Sequence, residues 1–318
     1  MNPDDLTRLL PAPAERDLPR GRHEVLRARV LAGIGADVPK RRRTPAWVVP
    51  VLAVATAAVV GLVTVSMHHS TAPASAVAVP VPHAPTNPRA VTLLAQVASA
   101  AGKQSTPVVR DDQFEYVETK EGATTGPGAA PADIRQSWLP VADLCRHGLL
   151  REGGQDADLS ERGQPGVTCP YGGDLNYPSY RLLAGLPTDP QTLLATIYLQ
   201  EQGHGSDPDS QAFTTIGDLL RDSVPPPAVS AALYRAAALI PGVQVESDAV
   251  DAAGRHGIAV SRSSQATRYE WIFDRTSLVM IGEREVRTKA SKIGAPGTIM
   301  DNTAILAKAI VDSVGATR

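Results

Sequence analysis

Three histidines beyond residue 89 have the widest chemical repertoire in this chain: His147, His204 and His256, set in Arg-His-Gly, Gly-His-Gly and Arg-His-Gly. If the three loops converged, the imidazoles could hold zinc together with carboxylates, and Asp207 and Asp209 follow His204 closely. On separate solvated turns the same residues do no chemistry, which is the plainer reading. A serine nucleophile would be marked by Gly-x-Ser-x-Gly, and that pattern is missing. The carboxylate pairs in Gly282-Glu283-Arg284-Glu285 and Asp248-Ala249-Val250-Asp251 are of the kind that glycosidases use, but on strands and turns they read as surface. Ala253-Gly254-Arg255-His256-Gly257 could cradle an anion; a turn between two strands explains it better. No phosphate-binding or dinucleotide-binding fingerprint occurs. The sequence therefore names no catalytic residue, no cofactor and no resident metal.

The elements that would position these groups begin with a membrane question. Ala46–Met67 is 22 residues without a charge, about 33 Å as a helix, against a hydrocarbon core of about 30 Å. Lys40, Arg41, Arg42 and Arg43 precede it, and no cation follows until Arg89. The positive-inside rule puts residues 1–45 in the cytoplasm and everything after Met67 outside the plasma membrane. A cleaved signal with its site at Ala74-Ser75-Ala76 is the alternative, but the long polar preface and the long apolar run favour an anchor. Residues 68–88, with five prolines, form a linker, and residues 89–318 form the outer domain.

Charge divides along the same lines. Residues 1–45 hold ten Lys+Arg against six Asp+Glu, and the rest of the chain 21 against 27. An acidic outer part with 4% aromatic residues argues against direct nucleic-acid binding, and the basic tail suits anionic lipid headgroups. In that tail Leu26, Val30 and Ile34 recur at helical spacing. That stripe could dock on a cytoplasmic partner or lie on the inner leaflet. Cys145 and Cys169 both fall on the outer side, where they could form a disulfide or stay as two thiols.

The outer domain reads as α+β. Residues 89–102 predict a helix, Asp112–Glu121 and Asp133–Leu144 predict strands, and residues 148–180 read as a long loop. Three helices follow: one capped by Thr188, one through Phe213, Ile216, Leu219 and Leu220, and one bracketed by prolines before Ala228 and by Pro241-Gly242. The remainder is strand-like. Tyr269, Trp271 and Phe273 alternate with Glu270 and Ile272, Asp274–Ser277 makes a turn, and Leu278 and Met280 resume the alternation. The aromatic face either lines a ligand groove or packs as core. Residues 302–314 read as a strand.

The segments "LPTDPQTLL", "IGDLLRDSVPPPAVSAALYRAAALIPGV", "AGRHGIAV" and "EWIFDRTSLVMIGE" resemble a family of actinobacterial single-pass membrane proteins often encoded beside extracytoplasmic-function sigma factors. The order of tail, basic stop, anchor, Pro-rich linker and outer domain is similar too. Arg275 and Ser277 stand where that family's turn carries Pro and Gly. The resemblance implies an anti-sigma-like regulatory role, with a sigma factor as cytoplasmic partner. It also implies a curved antiparallel sheet like those of lipoprotein carriers and sigma-regulator domains, which would suit a tethered carrier of lipid or envelope ligands. The His-x3-Cys-x2-Cys pattern of zinc anti-sigma factors is missing: His23 has no cysteine in the tail.

Overall fold

The computed structural model describes residues 87–318 apart from 106–107, 123–132, 143, 145–146, 160–173, 206 and 293. The tail stripe at Leu26, Val30 and Ile34, the cations Lys40 to Arg43, the apolar segment 46–67 and both cysteines lie outside the described residues. No helix of the described residues is long and apolar enough to cross a membrane.

The fold is α+β, built on one antiparallel sheet. Its strands are β1 (Phe114–Gly122), β2 (Asp133–Pro140), β3 (Leu149–Glu152), β4 (Gln155–Asp158), β5 (Gln244–Val250), β6 (His256–Ser264), β7 (Thr267–Phe273), β8 (Met280–Arg287) and β9 (Ile299–Val311). Their order is β4-β3-β2-β1-β9-β8-β7-β6-β5, so the last strand occupies the middle. The helices are α1 (Pro88–Gly102), α2 (Tyr180–Ala184), α3 (Pro190–Gln200), α4 (Pro208–Asp222) and α5 (Pro227–Ala237). Helix α1 packs on α5, α5 on α3, and α4 lies against β6 and β8.

Local chemistry explains most of these boundaries. Helices α1, α3, α4 and α5 all start with proline in the first turn, where the missing N–H costs nothing. The cap of α3 is Asp189, not Thr188: Asp189 Oδ1 accepts from Thr192 N at 2.9 Å. Pro190 disfavours helical backbone at the residue before it, so the last non-helical residue, and hence the cap, is Asp189.

The loop expected over residues 148–180 contains a hairpin instead. β3 and β4 pair antiparallel around Gly153 and Gly154, at φ 58° and 75°, the two left-handed positions that a tight hairpin turn demands. The turn after β7 also differs from expectation. Asp274 Oδ1 accepts from Ser277 N at 2.7 Å and Thr276 N at 3.1 Å. Leu278, expected to resume the strand, is instead left-handed (φ 59°), and β8 begins only at Met280.

One core fills the space between sheet and helices. The Phe213 ring of α4 stacks on Trp271, centroids 4.0 Å apart and planes 7° apart, and Tyr234 of α5 meets Phe273 edge-on at 5.7 Å. Tyr269 packs half-buried beside them. The aromatic face of β7 is thus core, not a groove wall. The opposite face is covered as well. Ile272 packs with Ala249, Ala259 and Ile281, and buried Glu270 accepts from Arg268 at 2.7 Å and Arg284 at 2.6 Å. Further along that face Tyr116 and Trp138 are closed over by the C-terminal residues, with Trp138 Nε1 donating to Ala316 O at 2.6 Å.

Candidate functional site

The register sets Trp271, Glu283, Thr303 and Glu121 in one row across β7, β8, β9 and β1 on the helix-facing side. Beside the aromatic core this side turns ionic. Glu115 and Glu121 of β1, Lys308 of β9 and Glu283 of β8 meet Asp218, Arg221 and Asp222 in the last turn of α4.

Each group has a local reason to be there. Arg221 forks to Asp218 Oδ1 at 2.7 Å and Asp222 Oδ2 at 2.8 Å, and also pairs with Glu283. Two acids at a helix C-terminus oppose the helix dipole, and Arg221 between them offsets that. Lys308 donates to Leu220 O, so a cation from the sheet caps the orphaned carbonyls of α4. Glu115, 1% exposed, accepts from Val224 N at 2.7 Å, with the backbone N–H of Tyr180 near enough to favour its charge. One carboxylate on β1 thereby fastens both α2 and the α4–α5 connection.

The cluster is imperfectly satisfied. Glu115 Oε1, Glu283 Oε1 and Thr119 Oγ1 are buried without a hydrogen-bond partner, an arrangement that carries a real energetic penalty. Burial pushes the Glu115 carboxyl up to about 7, against the pull of Val224 N–H and the Lys308 charge. Burial likewise raises Glu283, with Arg221 pulling the other way. It lowers Lys308 to about 8, although Asp222 and Glu115 favour its charge. Burial opposes the Arg221 charge too, but Asp222, Glu283 and Asp218 outweigh it and raise that group.

Chemically, Glu115, Glu283 and Lys308 are groups that gain or lose protons near neutral pH, as catalytic acids and bases do, while Arg221 stays charged. Catalysis also needs a substrate within hydrogen-bond reach, and the free oxygen of Glu115 is sealed from solvent. What the arrangement can do is make the packing of α4 and α2 on the sheet depend on charge.

The histidines are not brought together. His147 pairs with Asp158 at 3.1 Å, His204 with Glu201 at 3.3 Å and His256 with Asp248 at 3.1 Å. No group of three metal-binding side chains forms among the described residues. Asp207 caps α4 through Ser210 N at 2.8 Å, Asp209 accepts from Tyr198 at 2.7 Å, and Arg262 pairs with both. Arg255, in the glycine-flanked turn between β5 and β6, bonds inward to buried Asp251. Of the two acid pairs, Glu283 and Asp251 turn inward and Asp248 lies on the surface.

Sequence reasoning missed Glu115, Arg221 and Lys308. The signal for Glu115 was an acid between Phe114 and Tyr116 in a strand covered on both faces. Lys308 was the sole charge inside the apolar run Ala304–Val311. Neither family models nor curated proteins of known function give a match to this chain.

Proposed function

We propose that this chain is a membrane-anchored, non-enzymatic regulatory protein of anti-sigma-like kind. In this reading residues 46–67 cross the plasma membrane, residues 1–45 face the cytoplasm, and residues 89–318 form the sensing domain outside. The helix bearing Leu26, Val30 and Ile34 docks on a sigma factor. The observation that carries the sensing role is the incompletely satisfied charge cluster joining α4 and α2 to β1, β8 and β9. A sensing domain needs an element whose packing can be biased, and buried carboxylates that each keep one oxygen unpartnered make the helix layer such an element.

The test is capture. Residues 1–45 are immobilised and challenged with the sigma factors of the source cell, and sigma-dependent transcripts are compared with and without the gene. Retention of one sigma factor, and a change in its transcripts, is the expected result. No capture and unchanged transcripts would sink the reading.

A tethered carrier of lipid or envelope ligands is the second reading. An open groove of about 480 Å³ between α1 and the β5–β6 edge favours it. Weighing against it, Phe213, Trp271 and Phe273 fill the region between sheet and helices where an enclosed lipid would lie. Full-length protein that carries no co-purifying lipid by mass spectrometry would count further against it.

A further inference from the structure

We infer that the groove beside α1 is a binding site for a single-chain anionic amphiphile, of which a fatty acid is the simplest example. The inference rests on the sensor reading in one respect: it names the ligand that the outer domain detects.

The groove holds about 480 Å³, within the range of about 300–1,000 Å³ usual for small-molecule sites. Leu93 of α1, Val245 of β5 and Ile258 of β6 supply apolar lining, and Arg89 and Arg275 are its cations. Arg89 has no ion-pair partner among the described residues. Arg275 is held through Nη2 alone, which donates to Ser247 O, to Gly257 O at 3.1 Å and to Asp248 Oδ1 at 3.3 Å. That fixes the guanidinium and leaves Nε and Nη1 free of described partners, ready for a carboxylate.

The acid at this rim is already engaged. Asp248 accepts from His256 at 3.1 Å as well as from Arg275, and these bonds hold its carboxyl below the usual range. The first turn of α1 borders the same groove, which adds the positive end of a helix dipole. An apolar trough with a net cationic rim complements a molecule with an apolar body and an anionic head. Neutral or cationic amphiphiles would match the lining but not the rim.

Position along the chain points to the same class. Pro88 and Arg89 border the groove, and the predicted membrane span ends at Met67. The intervening 21 residues cannot reach beyond about 75 Å. Molecules of the proposed class reside in a bilayer within that reach.

The test uses the full chain in nanodiscs of zwitterionic lipid, with a photoactivatable diazirine palmitate as probe. After irradiation, peptide mapping is expected to find saturable labelling on the peptides containing Leu93, Val245 and Ile258. Unlabelled palmitate should compete, and dodecyltrimethylammonium should not. Arg89→Glu should lower labelling at least tenfold, and Arg89→Lys should retain most of it. Thr92→Trp, at an exposed position, should block the groove with unchanged circular dichroism. Labelling confined to other peptides, non-saturable labelling, or equal competition by the cationic amphiphile would overturn the assignment. Because labelling is read at the groove itself, it is independent of sigma-factor capture. A labelled groove with no capture would leave this site standing and the sensor reading fallen; capture with an unlabelled groove would do the reverse.

Discussion

Arg255 donates through Nε to Asp251 Oδ2 at 2.6 Å, and that bond aims the rest of its guanidinium into a split between two strands. The β8–β9 ladder ends at Gly282 and Ala304. The next carbonyl on each strand, Ile281 O and Ile305 O, receives Arg255 Nη2 at 2.7 and 2.9 Å. One side chain from the β5–β6 turn therefore closes a ladder that β8 and β9 leave open.

Replacing Arg255 with lysine should not restore this closure, because a single ammonium cannot hold Asp251 and both carbonyls in the same geometry. Arg255→Lys is expected to lose about 1–3 kcal/mol of stability, and Arg255→Ala more, since it strands a buried aspartate. Hydrogen exchange should quicken at residues 280–283 and 303–306 in both variants. Unchanged exchange there would show that the split closes without the arginine.

The ionic cluster makes stability depend on pH in a definite direction. Glu115 is raised from its usual 4.5 to about 7, so between those values the folded chain binds more protons than the unfolded one. Its contribution is fully present below about pH 4.5 and is lost as pH rises through 7. Lys308, lowered from 10.5 to about 8, acts oppositely: its contribution is present above 10.5 and lost as pH falls through 8. Thermal stability of the full chain should therefore be lower near pH 7.5 than near pH 5. Glu115→Gln should flatten the fall between pH 4.5 and 7, an effect of up to about 3 kcal/mol. A wild-type melting temperature independent of pH from 5 to 7.5 would refute this.

Gly217 of α4 faces the stacked Trp271. A methyl group there would lie 2.4 Å from Trp271 Nε1 and 2.5 Å from Glu283 Oε1. Helix propensity alone would make Gly217→Ala stabilising by about 1 kcal/mol. Overpacking costs about 1–3 kcal/mol, and Trp271 is clamped by Phe213, so crowding should win. A lower melting temperature and altered tryptophan fluorescence are expected; a gain in stability would show that α4 can lift from the sheet at little cost.

Trp138→Phe removes the donor to Ala316 O while keeping an aromatic ring. The C-terminal residues should become a better substrate for carboxypeptidase, with little change in global unfolding. Equal trimming rates in wild type and variant would assign the tail's docking to its apolar contacts alone.

How far the sequence foretold all this depended on the range of the signals. Apolar periodicity, alternation and bracketing prolines are short-range signals, so α1, α4, α5 and the β7–β8 hairpin were legible, as was the strand nature of residues 302–311. The β3–β4 hairpin was signalled by Gly153-Gly154 but hidden by a polar strand, Gln-Asp-Ala-Asp, that has no apolar face to betray it. The charge cluster was not legible. Glu115, Arg221, Glu283 and Lys308 come from four elements far apart in the chain, and only the sheet register and the seat of α4 unite them. At β1 and β7 alternation marked the strands but not their inner side, because both faces are covered and inward and outward residues look alike.

The central place of β9 has a bearing on biosynthesis. Strands β1 to β4 form one half of the sheet and β5 to β8 the other, and among the described residues the two halves are joined only by β9, the last of the nine to be made. A growing chain could assemble each half as local hairpins, but the pairing that welds them must wait until residues 299–311 emerge. Any product cut short before Ile299 would expose two long unpaired edges, at β1 and at β8. Quality control would have a simple mark by which to tell a joined sheet from a divided one.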